Sequence, residues 1–278
     1  MTEYLGGSRK RVSTHDLMAM KREGKKIAMI TAYDALFGAL VDAAGVDVVL
    51  VGDSVAPVIA GTETTIPATM DQMVYHGRIV RRGVRHALLV VDMPFLSYQV
   101  SIPDAIANAG RILKETGAQA VKLEGGASWA PTIAALVGCG IPVMGHLGFT
   151  PQWVNQLGGF KIQGKEADAA AQLVEDAKAL ERAGAFSLVL ELMPGDVARR
   201  VSEAVPIPTI GIGAGPQCDG QVLVLHDMLG LNEGFAPKFL RRYAELGEAT
   251  RRAVGTFCEE VRGGVYPGPE HTHGGGST

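Results

Sequence analysis

The chain has 278 residues, 47% of them hydrophobic, and 26 Lys+Arg against 29 Asp+Glu leave a net charge of −3. That near-balance offers neither a nucleic-acid footprint nor a polybasic membrane patch, and no run reaches the ~18 apolar residues of a membrane span. Three widely spaced cysteines (Cys139, Cys218, Cys258), without CxxC or Cys/His clusters, argue against a disulfide framework or structural zinc and for a reducing, cytoplasmic setting.

Elements alternate along the whole chain. A helix over 13–24 precedes the first β-branched run, 27–33, and apolar positions at helical spacing follow in 34–44. A second run, 46–52, leads to a helix over 69–83 that opens on a Thr69-x-x-Gln72 capping pattern and closes on Gly83. The third run, 87–94, precedes a helix over 103–117 with Pro at its start and Gly at its end. Runs at 120–125, 142–148, 187–193, 208–215 and 221–228 complete eight, interleaved with helices over 166–184 and 195–205 and followed by a long helix over 237–261. Most runs are continuously apolar, as parallel strands covered on their outer face must be. Eight strands and no nucleotide fingerprint after the first favour a closed barrel over a doubly wound sheet, and a (β/α)₈ barrel needs roughly 250 residues. The expected architecture is α/β, one TIM barrel domain over 1–278, with the extra N-terminal helix capping its bottom and tails at about 1–10 and 270–278 flexible.

In such a barrel, chemistry gathers at the carboxyl ends of the strands. The second run ends in Gly52-Asp53-Ser54, the third in Asp92-Met93-Pro94 and the fourth in Lys122-Leu123-Glu124; His146 ends the fifth and Glu191 the sixth. Lys122 and Glu124 are two apart and share one side of their strand, facing the barrel mouth if Val121 and Leu123 face the helices. Any one of these groups has a plain alternative: an Asp as a helix cap, His146 as a hydrogen-bonded core residue, Glu191 as one half of a structural ion pair. Five ionisable ends in succession are harder to bury without a shared partner. Hard carboxylate oxygens without a Cys or His cluster suit Mg²⁺, or Mn²⁺ in its place. Two glycine-rich stretches stay open: 211–215 as a phosphate turn or, lacking Lys and Arg, a tight turn where backbones approach; 158–165 as a loop over the mouth or an ordinary surface turn.

The segments Ile30-Thr-Ala-Tyr-Asp34, Leu50-Val-Gly-Asp-Ser54, 87–95, Val121-Lys-Leu-Glu-Gly-Gly126 and Gly145-His-Leu-Gly-Phe-Thr-Pro-Gln152 come in an ordered series. It continues through 158–165, Leu188-Val-Leu-Glu-Leu192, Ile210-Gly-Ile-Gly-Ala-Gly215 and 219–227. This series resembles the ketopantoate hydroxymethyltransferase family over residues 11–271. The resemblance implies hydroxymethyl transfer from 5,10-methylenetetrahydrofolate to 3-methyl-2-oxobutanoate, giving 2-dehydropantoate for pantothenate synthesis through a Mg²⁺-stabilised enolate. It implies that Asp53 and Asp92 bind Mg²⁺, with Glu124 ligating it directly or through water, and that Glu191 removes the C3 proton. Ser54, Lys122 and His146, beside Asp53 and Asp92, would contact the substrate, and the enzyme would be a homo-oligomer, commonly a decamer. The rival is a lyase or mutase of the same barrel superfamily, which would carry a reactive Cys in a loop over the site. Cys139 stands ahead of a strand, on the wrong side. A barrel retained only for binding is the non-enzymatic alternative.

Overall fold

The computed structural model describes residues 10–273. Eight strands, each pairing in parallel with the next and the last with the first, close a barrel. They are β1 (Ile27–Thr31), β2 (Val48–Val51), β3 (Leu88–Asp92), β4 (Ala120–Glu124), β5 (Val143–Gly148), β6 (Ser187–Glu191), β7 (Thr209–Ile212) and β8 (Gly220–Leu223). The expected TIM barrel is the observed fold.

Side chains of alternate strand residues point inward, and the inner set is Ile27, Met29, Val48, Leu50, Leu88, Val90, Ala120, Met144, Val189, Ile210 and Val222. These fill the cylinder as packed layers rather than a pore. Continued one step further at the same parity, the set runs out of apolar residues and reaches Asp92, Lys122, Glu124, His146 and Glu191. The top layer of the barrel is therefore polar by the same period-two rule that makes the lower layers apolar.

The lower end is closed by the helix Thr14–Arg22. Ser13 caps it through Asp16 in a reciprocal capping box, and Leu17 is buried in the barrel's core cluster. Lys21 ties it down, with Nζ donating to the carbonyls of Ser202 and Ile207 and pairing with Asp219 at 2.9 Å, all ahead of β7 and β8. The expected bottom cap is present. Around the barrel, Thr69 and Gln72 make the anticipated capping box of the helix Met70–Gly83, and Gly117 ends the helix Ile102–Thr116 in the left-handed region.

The chain divides into two compact units between Leu225 and His226. Two expectations fail near that division. The eighth strand stops at Leu223 instead of running to 228, because Leu225–Met228 turns into a helix whose first N–H donates to the Thr31 hydroxyl. In the second unit, the helix expected from 237 begins at Leu246. The N–H groups of Tyr243 and Leu246 donate to Met228 and Leu229, and the Arg242 guanidinium donates to the carbonyls of Asn232, Glu233 and Phe235, so 237–245 runs as turns. The expected flexible ends fall mostly outside the described residues; Pro269–His271 forms a short 3₁₀ turn. No helix among the described residues is long and apolar enough to cross a membrane.

Candidate active site

Strand register assembles the site. Asp92 lies opposite Lys122, Glu124 opposite His146, and Glu191 opposite Gly148, so four neighbouring strands set their last inward residues side by side. Gly148 must be glycine: it has φ +94, and a Cβ there would fall 2.1 Å from the Glu191 carbonyl. Asp53 arrives differently, from the turn after β2, and its N–H donates to Asp92 Oδ2 at 3.0 Å. It caps no helix. Ser54 occupies the cap position of the short helix Val55–Ile59 without a side-chain cap bond; its hydroxyl lies 2.7 Å from the Tyr33 hydroxyl instead. Asp34, by contrast, is a true cap, accepting from the Phe37 N–H.

One connected network results. Lys122 Nζ lies 3.0 Å from Asp92 Oδ1 and 3.3 Å from His146 Nδ1, and His146 Nε2 lies 3.2 Å from Glu191 Oε2. A neutral imidazole protonated at Nε2 would accept from Lys122 and face Glu191 with its N–H. Its Nδ1 then has no proton to offer Glu124 Oε1, 3.4 Å away. The structure thus brings together Asp53, Asp92, Lys122, Glu124, His146 and Glu191, with Ser54 at the edge beside Asp53. Asp53, Asp92, Lys122, Glu124 and His146 are buried, while the Glu191 side chain keeps 17% of its surface exposed.

The charges do not balance. Burial, with Asp92 and Glu124 alongside, pushes the Asp53 carboxyl well above its usual range. Burial likewise lifts Glu124 from 4.5 to about 7, against the pull of Lys122. Burial alone would lower Lys122, but Asp92, Glu124 and Asp53 overcome it and hold the ammonium charged. His146 is lowered by burial and by Lys122, which keeps the ring neutral, and burial raises Glu191. Four carboxyl groups therefore share one fixed positive charge. Two of their oxygens, Asp92 Oδ1 and Glu124 Oε1, are buried without a hydrogen-bond partner; the approach of Lys122 to Asp92 Oδ1 is a charge contact that is not aligned as a hydrogen bond. Among the described residues no three His, Cys, Asp or Glu side chains already converge on a common ligand point. What the donors share is a deficit of positive charge and an all-oxygen chemistry, which fits a hard divalent cation.

Two side chains that the sequence reading assigned no role complete the site. Gln152 donates from Nε2 to Asp53 Oδ2 and to the Met93 carbonyl, and from its backbone N–H to Glu124 Oε2. The Tyr98 hydroxyl lies 2.9 Å from Gln152 Oε1 and accepts from the Glu124 N–H. Tyr98 comes from a loop and Gln152 from the single 3₁₀ turn Pro151–Trp153, where no periodicity marks an inward position; the one available signal was an amide and a phenol closely following strand ends.

The open glycine stretches resolve differently. Gly215 packs against the Cα of Gly195, with only 3.1 Å for an added Cβ, so the turn after β7 is a place of close backbone approach. In 158–165, the Gln163 N–H donates to the Leu192 carbonyl, and Phe160 packs on the buried Phe149 ring at 4.9 Å, which sets this loop at the carboxyl end beside Glu191. Cys139 ends the helix ahead of β5, and the Lys26 ammonium holds the Cys218 carbonyl ahead of β8, so both thiols belong to the lower half.

A family model described as ketopantoate hydroxymethyltransferase matches residues 11–269. The chain belongs to this family. It is 54% identical over 265 residues to the 3-methyl-2-oxobutanoate hydroxymethyltransferase of Heliobacterium modesticaldum, covering 95% of this chain and 96% of that protein. The protein of the same name from Moorella thermoacetica is 54% identical over 95% of this chain and 98% of its own length. Among solved structures, a phosphonopyruvate hydrolase superposes with a TM-score of 0.62 over 95% of this chain and 92% of that one, at 13% identity, which speaks to the fold alone. The barrel is thus shared beyond the family, whereas the sequence over residues 11–269 sides with the hydroxymethyltransferase family.

Proposed function

We propose that this enzyme transfers a hydroxymethyl group from 5,10-methylenetetrahydrofolate to 3-methyl-2-oxobutanoate, in the cytoplasm, for pantothenate synthesis. The observation that carries the mechanism is the separation of carboxylates into two sets by His146: the trio Asp53, Asp92 and Glu124, with only Lys122 as counter-charge, on one side and the partly exposed Glu191 on the other.

The trio would hold Mg²⁺, and a cation there supplies charge stabilisation for a keto oxygen as a proton leaves the neighbouring carbon. Lys122 adds fixed positive charge on the same side. The Ser54 hydroxyl, steadied by Tyr33, suits a carboxylate oxygen of the keto acid. Glu191 takes the C3 proton: its raised basicity suits proton abstraction, and His146 holds the carboxylate in one orientation. The carbanion so formed attacks the one-carbon unit of the folate, and the overall transfer consumes water. The reactive Cys that a lyase of that kind would carry in a loop over the site is not found: Cys139 and Cys218 lie on the lower half, and Cys258 lies within the helix Leu246–Arg262. We extend the reading to a homo-oligomer of decamer size, for which the helix Leu246–Arg262, with no buried residue and with Val254, Phe257 and Val261 exposed, is a suitable surface.

The test is product formation: purified enzyme with 3-methyl-2-oxobutanoate, methylenetetrahydrofolate and Mg²⁺ should release 2-dehydropantoate. Turnover of a phosphonate or of a 2-hydroxy tricarboxylate, without that product, would overturn the assignment.

A further inference from the structure

The buried Gln152 grips two carboxylates of the trio, Asp53 and Glu124. Its amide is oriented without ambiguity. Both Nε2 hydrogens are used, on Asp53 Oδ2 at 2.8 Å and on the Met93 carbonyl at 2.9 Å, while Oε1 lies within 2.9 Å of the Tyr98 hydroxyl and 3.3 Å of Gln99 Nε2. A flipped amide would set Oε1 against a carboxylate and a carbonyl, so only one orientation satisfies every partner. The backbone N–H of the same residue donates to Glu124 Oε2 at 3.0 Å. Tyr98 braces the other side of that glutamate: its hydroxyl accepts from the Glu124 N–H at 3.1 Å and, having one proton to give, serves either Gln152 Oε1 or the Glu124 carbonyl.

The consequence is selective. Gln152 occupies Asp53 Oδ2 and Glu124 Oε2, and the oxygen it leaves on Glu124, Oε1, is the buried one without a partner. We propose that Gln152, locked by Tyr98, is a positioning residue that decides which carboxylate oxygens of Asp53 and Glu124 are left to a divalent cation. Its role is exerted through Asp53 and Glu124. It acts by occupying two oxygens with neutral donors, which fixes both carboxylates and adds no competing charge. The inference rests on the reading that the carboxylate trio holds a cation.

A side chain that merely filled space here would affect folding alone, so the readout is cation affinity in the folded protein. Mn²⁺ binding followed by electron paramagnetic resonance needs no turnover and serves wild type, Gln152→Met and Tyr98→Phe. Gln152→Met keeps length and volume but loses the amide donors; Tyr98→Phe keeps the ring and loses the brace. Removal of groups that orient metal-binding side chains typically weakens affinity 10–100-fold. We expect a weakening of at least about tenfold for Gln152→Met and a smaller one for Tyr98→Phe, with KM for the keto acid rising alongside. Should Gln152→Met fail to fold, Tyr98→Phe carries the test. Wild type that binds no Mn²⁺ would sink the cation reading itself. Wild type that binds, with folded variants of unchanged affinity, would overturn the role of Gln152.

Discussion

At the lower end of the barrel, the buried carboxylate of Asp42 accepts from the backbone N–H groups of Arg85, His86 and Ala87, at 2.7 to 3.2 Å. At the upper end, Asp92 Oδ1 and Glu124 Oε1 are just as buried and have no hydrogen bond at all. Both ends bury negative charge, but at the lower end both oxygens of the carboxylate meet fixed donors, as a structural carboxylate requires, whereas at the upper end Asp92 and Glu124 each keep one oxygen without a hydrogen bond. Burial of an acid is therefore not what sets the proposed site apart in this chain; oxygens left without donors are.

Substitutions at the two ends should separate the two kinds of carboxylate. The largest effect belongs to the upper end: Glu191→Gln should slow exchange of the C3 proton of 3-methyl-2-oxobutanoate by about 10³-fold, the middle of the range for a general base, while the unfolding midpoint in urea hardly moves. Exchange at the normal rate in that variant would assign the base to another group. The inverse pattern is expected of Asp42→Ala. One buried and two part-buried N–H groups lose their acceptor, costing about 3 kcal/mol in equilibrium unfolding, with the catalytic rate of the folded fraction unchanged.

A pH dependence follows from Glu124, raised from 4.5 to about 7. A carboxyl that is harder to ionise in the folded state than in the unfolded one contributes stability that is complete below 4.5 and lost as pH rises through about 7. At 1.36 kcal/mol per unit, the loss from this group alone is about 3 kcal/mol. Metal-free protein should thus become less stable across that window, Glu124→Gln should flatten the slope, and Mg²⁺ should recover stability mainly above pH 7. Calorimetric melting with and without chelator checks all three; a metal-free melting temperature that climbs from pH 5 to pH 8 would contradict the expected sign. The smallest effect is at the rim. Ser54→Ala should raise KM for the keto acid about fivefold, near 1 kcal/mol for one hydrogen bond, and leave kcat in place.

The same contrast explains what could be read from the residues beforehand. Lys122 and Glu124 were legible because a strand has period two: once Val121 and Leu123 are assigned to the outer face, the charges must face inward. Parity extends the same logic to Asp92, His146 and Glu191, which continue the inward rows of β3, β5 and β6. Tyr98 lies in a loop and Gln152 in a single 3₁₀ turn, where side-chain direction follows from tertiary contacts that no spacing encodes. Asp53, in a turn, came from its place after an apolar run. The run over 221–228 shows a different limit: a short apolar stretch suits a strand or a helix equally, and it became four residues of strand, then Leu225–Met228 as helix. In 237–245, helical spacing was present, but the backbone N–H groups of Tyr243 and Leu246 found carbonyls at 228 and 229 instead.

The central claim is that the carboxylate trio at the upper end, with unpartnered oxygens on Asp92 and Glu124, would hold a divalent cation which, with Glu191, activates the keto acid. Its most direct test needs no folate: loss of the C3 proton of 3-methyl-2-oxobutanoate in D₂O, followed by proton NMR, with Mg²⁺ and again with chelator. Exchange that proceeds with Mg²⁺ and stops on chelation is the expected result. Exchange at equal rates in both, or none in either, would contradict it.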